Sequence, residues 1–109
     1  MNRCFDKLIT IAEISGNHKN NFYDCSQLID KAQKSGFSHA KLQTFTAGGL
    51  TINSHKKEFI ISDKNSPWHS RSLYDLYTES RLDWKIQKKI FKNYKKKKIE
   101  VFTSIFCKD

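Results

Sequence analysis

Lys41 and Gln43 stand two residues apart in His39-Ala40-Lys41-Leu42-Gln43-Thr44-Phe45, a run with the composition of a β-strand. Period-two geometry sends both to one face and Ala40, Leu42 and Thr44 to the other. Two polar residues on a buried strand face need a reason. An ammonium holds anions through charge-assisted contacts, and a carboxamide both donates and accepts hydrogen bonds. Glu13, near the end of the apolar run Leu8 to Ile14, adds a carboxylate suited to acid–base work. Thr103 and Ser104 add hydroxyls at the end of a third apolar run, and Asn17 and His18 occupy the turn after the first.

Each of these residues also has a plainly structural use. Glu13 can be a buried ion-pair member or a helix partner. Lys41 can snorkel to the sheet edge, and Gln43 can satisfy a loop backbone. His18 reads as loop packing, with no partner at ligand spacing, and Trp68, Tyr74, Tyr77 and Trp84 read as core or loop packing. Cys4, Cys25 and Cys107 are odd in number and far apart, with no C-x-x-C pair, and read as reduced thiols.

The elements that must position these side chains alternate. Leu8 to Ile14 is rich in β-branched residues and stops at Ser15-Gly16-Asn17, so it is predicted to be a strand, nearly apolar on both faces. Phe22, Cys25, Leu28, Ile29 and Ala32 recur at helical spacing from Phe22 to Ser35, with Asn20 or Asn21 as cap and Gly36 as terminator. After the second strand comes a loop of about 25 residues, longer than compact domains usually carry without function. Asp83 then caps a helix lined by Trp84, Gln87, Ile90, Phe91 and Tyr94, and Ile99 to Ser104 makes a third strand. Strand, helix, strand, helix, strand implies right-handed crossovers and a parallel sheet, so the fold class is α/β. An open doubly wound sheet and a (β/α)8 barrel both fit, and both place chemistry at the carboxyl ends of the strands. Glu13, Lys41, Gln43, Thr103 and Ser104 are therefore the candidates. No glycine-rich dinucleotide or phosphate loop follows any strand.

Composition narrows the partners. The 109 residues carry 20 Lys+Arg against 11 Asp+Glu, a net charge of +9, with 17 lysines to 3 arginines. Recognition of phosphates and base edges favours arginine, so the excess is read as surface charge, with no nucleic-acid partner expected. Lys95 to Lys98 are placed at a helix end, where cations complement the dipole. No apolar stretch approaches the roughly 20 residues of a membrane span, and no cleavage signal follows the first apolar run. The expected address is the cytoplasm, with no membrane partner.

Ile11-Ala12-Glu13-Ile14-Ser15-Gly16-Asn17-His18, then Lys41-Leu42-Gln43-Thr44-Phe45-Thr46, then Leu73-Tyr74-Asp75-Leu76-Tyr77 resemble, in order and spacing, the amino-terminal third of the sialic acid synthase family. Trp68, the Leu73–Tyr77 segment and Trp84 are most similar to its pseudaminic acid synthase branch; N-acetylneuraminate and legionaminic acid synthases are the alternatives. The resemblance implies a (β/α)8 barrel that condenses phosphoenolpyruvate with an N-acetylated amino sugar, releasing phosphate and a nine-carbon 2-keto sugar acid. It implies a divalent metal, Mn2+ or Mg2+, that polarises the sugar aldehyde through ligands on later strands. By the same resemblance Glu13 is the catalytic glutamate near the reacting carbons, and Lys41 faces phosphoenolpyruvate. Gln43 lines the sugar pocket, Ser104 donates to the substrate acid groups, and Asn17 orients the site. Sugar choice falls partly to Ala47 through Ser72.

The chain departs from the family where Ile105-Phe106-Cys107 replaces Pro-Phe-Asp. It also supplies three strands where a barrel needs eight and roughly 250 residues. Residues 1–109 are thus expected to be one partial synthase barrel, the amino-terminal piece of an enzyme that is homodimeric in this family and inactive without the rest. A second chain supplying the missing strands, or a non-catalytic anion-binding relic, are the other readings. An isolated piece is expected to be only marginally stable.

Overall fold

Three segments of β-branched and apolar residues pair side by side, and the two longer helices between them cover one face. The structure is a computed structural model that describes residues 8–108. Cys4 and Asp109 lie outside the described residues. Strands β1 (Ile11–Glu13), β2 (His39–Thr44) and β3 (Glu100–Ile105) form one parallel sheet in sequence order β1-β2-β3. Helix α1 (Phe22–Lys34) joins the first pair; α2 (Ala47–Leu50), α3 (Leu73–Ser80) and α4 (Trp84–Tyr94) lie between the second and third strands. The α/β class and parallel sheet expected from the residues are present.

The helix boundaries follow from capping. Asn21 Oδ1 accepts from the Asp24 N–H and starts α1. At its far end the N–H groups of Gly36 and Phe37 return to the carbonyls of Gln33 and Ala32. Gly36 sits at φ +92°, where a side chain would be strained. Asp83 caps α4 through the Lys85 N–H, as its position indicated. The lysine run starts at the cap residue Lys95, just beyond α4.

Two expectations need correction. The first strand is not Leu8 to Ile14 but Ile11–Glu13, because β2 begins only at His39 and offers no partner earlier. Ahead of it Ser38 clamps Thr10 instead: the Thr10 N–H donates to Ser38 Oγ, and the Ser38 hydroxyl donates to the Thr10 carbonyl. Nor is β1 apolar-buried on both faces; Ile11 and Glu13 are exposed. The long connection is also more ordered than a loop. It holds α2, a 3-10 turn at Lys57–Phe59 and an antiparallel bridge between Ile60 and Ser72. Beyond it, Ser72 caps α3, a helix the sequence reading left out.

The core lies between the sheet and α1 and α4. Ile29 and Cys25 of α1, Ile90 and Tyr94 of α4, and Ala40 and Leu42 of β2 belong to one buried cluster. Burial pushes the Cys25 thiol up to about 11, which keeps it protonated and inert. Among the described residues no helix is long and apolar enough to cross a membrane.

Candidate active site

The face of the sheet opposite the helices carries the polar residues in rows set by register. Glu13 pairs with Lys41, and Lys41 with Phe102; one step further along the strands, Gln43 pairs with Ser104. In a parallel sheet such partners point to the same side. The Lys41 ammonium contacts the Glu13 carboxylate. Lys41 keeps 26% of its side-chain surface and Glu13 50%, so the pair is open to a ligand approaching that face. On the row before it, His39 Nε2 lies 3.3 Å from Glu100 Oε2, and the His39 ring meets Phe102 edge-on.

Thr103 is not part of this group. Adjacent strand residues alternate in direction, so Thr103 and Ser104 cannot share a face, and pairing with Leu42 turns Thr103 toward the helices. There its hydroxyl lies 2.7 Å from Thr44 Oγ1, which accepts a 2.6 Å hydrogen bond from Gln87 Nε2 of α4.

The turn after β1 carries Asn17 and His18. The Asn17 amide donates to the Ile14 carbonyl at 3.0 Å and keeps its side chain at the surface. His18 is buried and its Nδ1 accepts from the Asn20 N–H at 3.0 Å; burial holds its pKa below 6.5. It packs the loop, as its solitary placement suggested.

Two cavities open at the carboxyl ends of the strands. One of about 210 Å³ is lined by Gln43 and Phe45 of β2 and its exit, Leu50 of α2, Tyr77 of α3 and Phe106. The other, about 640 Å³, is lined by Asn17, Lys19, Trp68, Arg71 and Tyr77 among others. Gly16, Tyr77 and Ser80 belong to both. Gly16 passes so close to α3 that a Cβ there would stand 3.3 Å from that of Ser80. Trp68 and Trp84 are therefore not core: Trp68 is half exposed on a cavity wall, and Trp84 also reaches solvent. Tyr77 packs edge-on against Phe45. Arg71 is a site-lining residue that sequence reasoning missed, and Tyr77, whose sequence reading is packing, lines both cavities.

Together these groups supply an ammonium to hold an anion, a carboxylate to orient or deprotonate water, and a carboxamide and hydroxyl to fix a polyol. Among the described residues no three His, Cys, Asp or Glu side chains are grouped to hold a metal ion, so these residues alone do not fit a divalent cation and no step is routed through one.

Comparison with known proteins finds relatives over most of the chain. The pseudaminic acid synthases of two Campylobacter jejuni strains are each 36% identical over 103 residues, 94% of this chain and 29% of the relative. That of Helicobacter pylori is 29% identical over 96 residues, 88% of this chain and 28% of the relative. The chain thus spans less than a third of the length of the curated relatives it matches. A family model described as NeuB family matches residues 28–109, three quarters of the chain, and the chain belongs to that family.

Proposed function

We propose that residues 1–109 form the first three β/α units of a (β/α)8 barrel in a pseudaminic acid synthase-like enzyme. In this reading C3 of phosphoenolpyruvate bonds to the aldehyde carbon of an N-acetylated amino sugar, water adds to C2, and phosphate leaves. Lys41 holds the phosphoenolpyruvate anion, Glu13 orients or deprotonates the water, and Gln43 and Ser104 bind the substrates' polar edges. Asn17, in the turn after β1, orients the site. The winding is compatible with a barrel, with strands in sequence order and α1 and α4 on one face; one βαβαβ half of a doubly wound sheet shares it, and the family relationship is what favours the barrel. The remaining strands, the divalent metal and its ligands come from outside these residues.

The observation that carries the reading is the Glu13–Lys41 pair on the open sheet face, one row before Gln43 and Ser104. The test is a chimaera in which residues 1–109 replace the matching segment of the Campylobacter jejuni relative, assayed for sugar-dependent phosphate release from phosphoenolpyruvate. Turnover is expected. A chimaera that melts cooperatively yet releases no phosphate overturns the reading.

A further inference from the structure

The helical layer stops short over β3. Ala40 and Leu42 of β2 face the helices and are fully buried, whereas their register partners Val101 and Thr103 are only half-buried. Among the described residues β3 pairs with β2 alone, so its outer edge keeps backbone groups without a sheet partner.

Helix α4 flanks this uncovered strip. The core takes the side of α4 that carries Gln87, Ile90 and Tyr94. Its α1 side sets the Lys89 ammonium 4.1 Å from the centre of the Phe22 ring. The remaining flank carries Lys88, Phe91, Lys92 and Lys95, spaced three and four apart as one helix face requires. With Lys97, Lys98 and Val101 it walls a groove of about 770 Å³. The Lys97 N–H bonds back to the Tyr94 carbonyl at 3.0 Å, which holds the end of the lysine run at the groove.

Five ammonium groups thus rim a floor to which Phe91 and Val101 give apolar surface. All five lysines are exposed, and among the described residues none belongs to an ion pair. Glu100, the carboxylate on the wall, is engaged by His39. Like charges gathered this way repel one another, and a partner of opposite sign relieves the repulsion.

The groove's chemistry selects its occupant. A small anion would use the ammonium groups and leave Phe91 and Val101 in water. A second copy of this chain carries the same charge of +9 and would be repelled. An amphipathic helix whose apolar stripe is flanked by carboxylates matches both the floor and the rim. A helix also suits the place, because a right-handed crossover from β3 to a further parallel strand runs over this same face.

We propose that the groove between α4 and β3 is a docking surface for an acidic amphipathic helix, the one that covers β3 where the sheet is extended. The proposal rests on the synthase reading above only for the source of that helix, the next β/α unit. The charge pattern the helix must carry is set by Lys88, Lys92, Lys95, Lys97 and Lys98.

The test uses the 109-residue chain and fluorescently labelled synthetic helices about five turns long. The acidic probe has leucines at helical spacing flanked by glutamates, a basic probe has lysines in place of the glutamates, and a third has serines in place of the leucines. In fluorescence anisotropy the acidic probe is expected to bind at least about tenfold more tightly than either other probe, and more weakly as salt rises. The double variant Lys88→Glu, Lys92→Glu is expected to lose about tenfold in affinity for the acidic probe and to gain affinity for the basic one. The double variant Lys88→Gln, Lys92→Gln, which keeps helix-forming side chains, should show the same loss in smaller measure and serves if the reversal unfolds the chain. Lys56→Glu with Lys57→Glu, an equal charge change on the 3-10 turn, should have little effect.

Equal binding of acidic and basic probes overturns the proposal, because the surface would then be merely apolar. Equal binding of the serine probe overturns it in favour of a polyanion site, and an equal loss in the Lys56, Lys57 variant assigns the affinity to net charge. None of these readings involves turnover, so a chimaera that releases no phosphate sinks the synthase reading and leaves the groove's preference for an acidic helix standing.

Discussion

Glu13 and Lys41 are lateral partners on adjacent parallel strands, and their carboxylate and ammonium touch on the sheet face opposite α1 and α4. The pair is open to water on one side, so its attraction is screened and its contribution to stability is small. An ion pair kept where it stabilises little is better suited to holding a ligand than to holding the fold together.

The first prediction separates the two roles. In the chimaera, Lys41→Met and Glu13→Gln should each lower stability by less than about 1 kcal/mol, as for exposed pairs. Each should cut phosphate release by on the order of 10²-fold or more, the range for lost acid–base or charge-assisted contacts. Urea midpoints and phosphate assays on the same preparations decide it. Equal losses in both would make the pair a structural strut.

The buried polar chain on the other face yields the opposite expectation. Gln87 donates to Thr44, Thr44 meets Thr103, and Gln87 Oε1 finds no partner among the described residues. Thr44→Val removes the partner of a buried amide and should cost about 1–3 kcal/mol. Gln87→Met replaces an incompletely satisfied amide with an apolar chain of similar length and should be nearly neutral. Denaturant midpoints of the two variants check the ranking, and catalysis should follow stability in both.

These two faces show what could be read in advance. Alternation along β2 separates Lys41 and Gln43 from Ala40, Leu42 and Thr44 in the sequence itself, and Asn21, Gly36 and Asp83 mark the helix ends by local chemistry alone. Three features depend on partners distant in the chain. The length of β1 is set by where β2 starts, and the direction of Thr103 by its pairing with Leu42. The exposure of Trp68 is set by the bridge that folds 61–71 back on itself. Helix α3 is a fourth case: in eight residues Leu73, Leu76 and Tyr77 make too brief a pattern to distinguish a helix from a packed loop.

Tyr94 ties the two long helices together. Its hydroxyl lies 3.0 Å from the Ser26 carbonyl and 2.7 Å from Asp30 Oδ1 on α1; burial and the Asp30 carboxylate both push its pKa up. Tyr94→Phe should cost about 1–2 kcal/mol, between a neutral hydrogen bond and one to a charged partner. Asp30→Asn should cost less, because the carbonyl of Ser26 remains. Reversal of that order in urea unfolding would show that the carboxylate carries the contact.

His18 gives the fold a pH dependence whose sign follows from its burial. Its folded pKa lies below the ordinary 6.5, so between those values the unfolded chain binds a proton that the folded chain refuses. Stability contributed by neutral His18 is fully present above about 6.5 and is lost as pH falls through the folded value, with a slope of at most about 1.4 kcal/mol per pH unit. Protonation at Nδ1 would also abolish the bond from the Asn20 N–H, loosening the turn that carries Lys19 and Asn17. Urea midpoints taken from pH 7.5 to pH 5 should therefore fall, and His18→Gln, which cannot take up the proton, should flatten the curve while lowering its plateau. A variant with the same slope as the parent would show that His18 is not the source of the pH dependence.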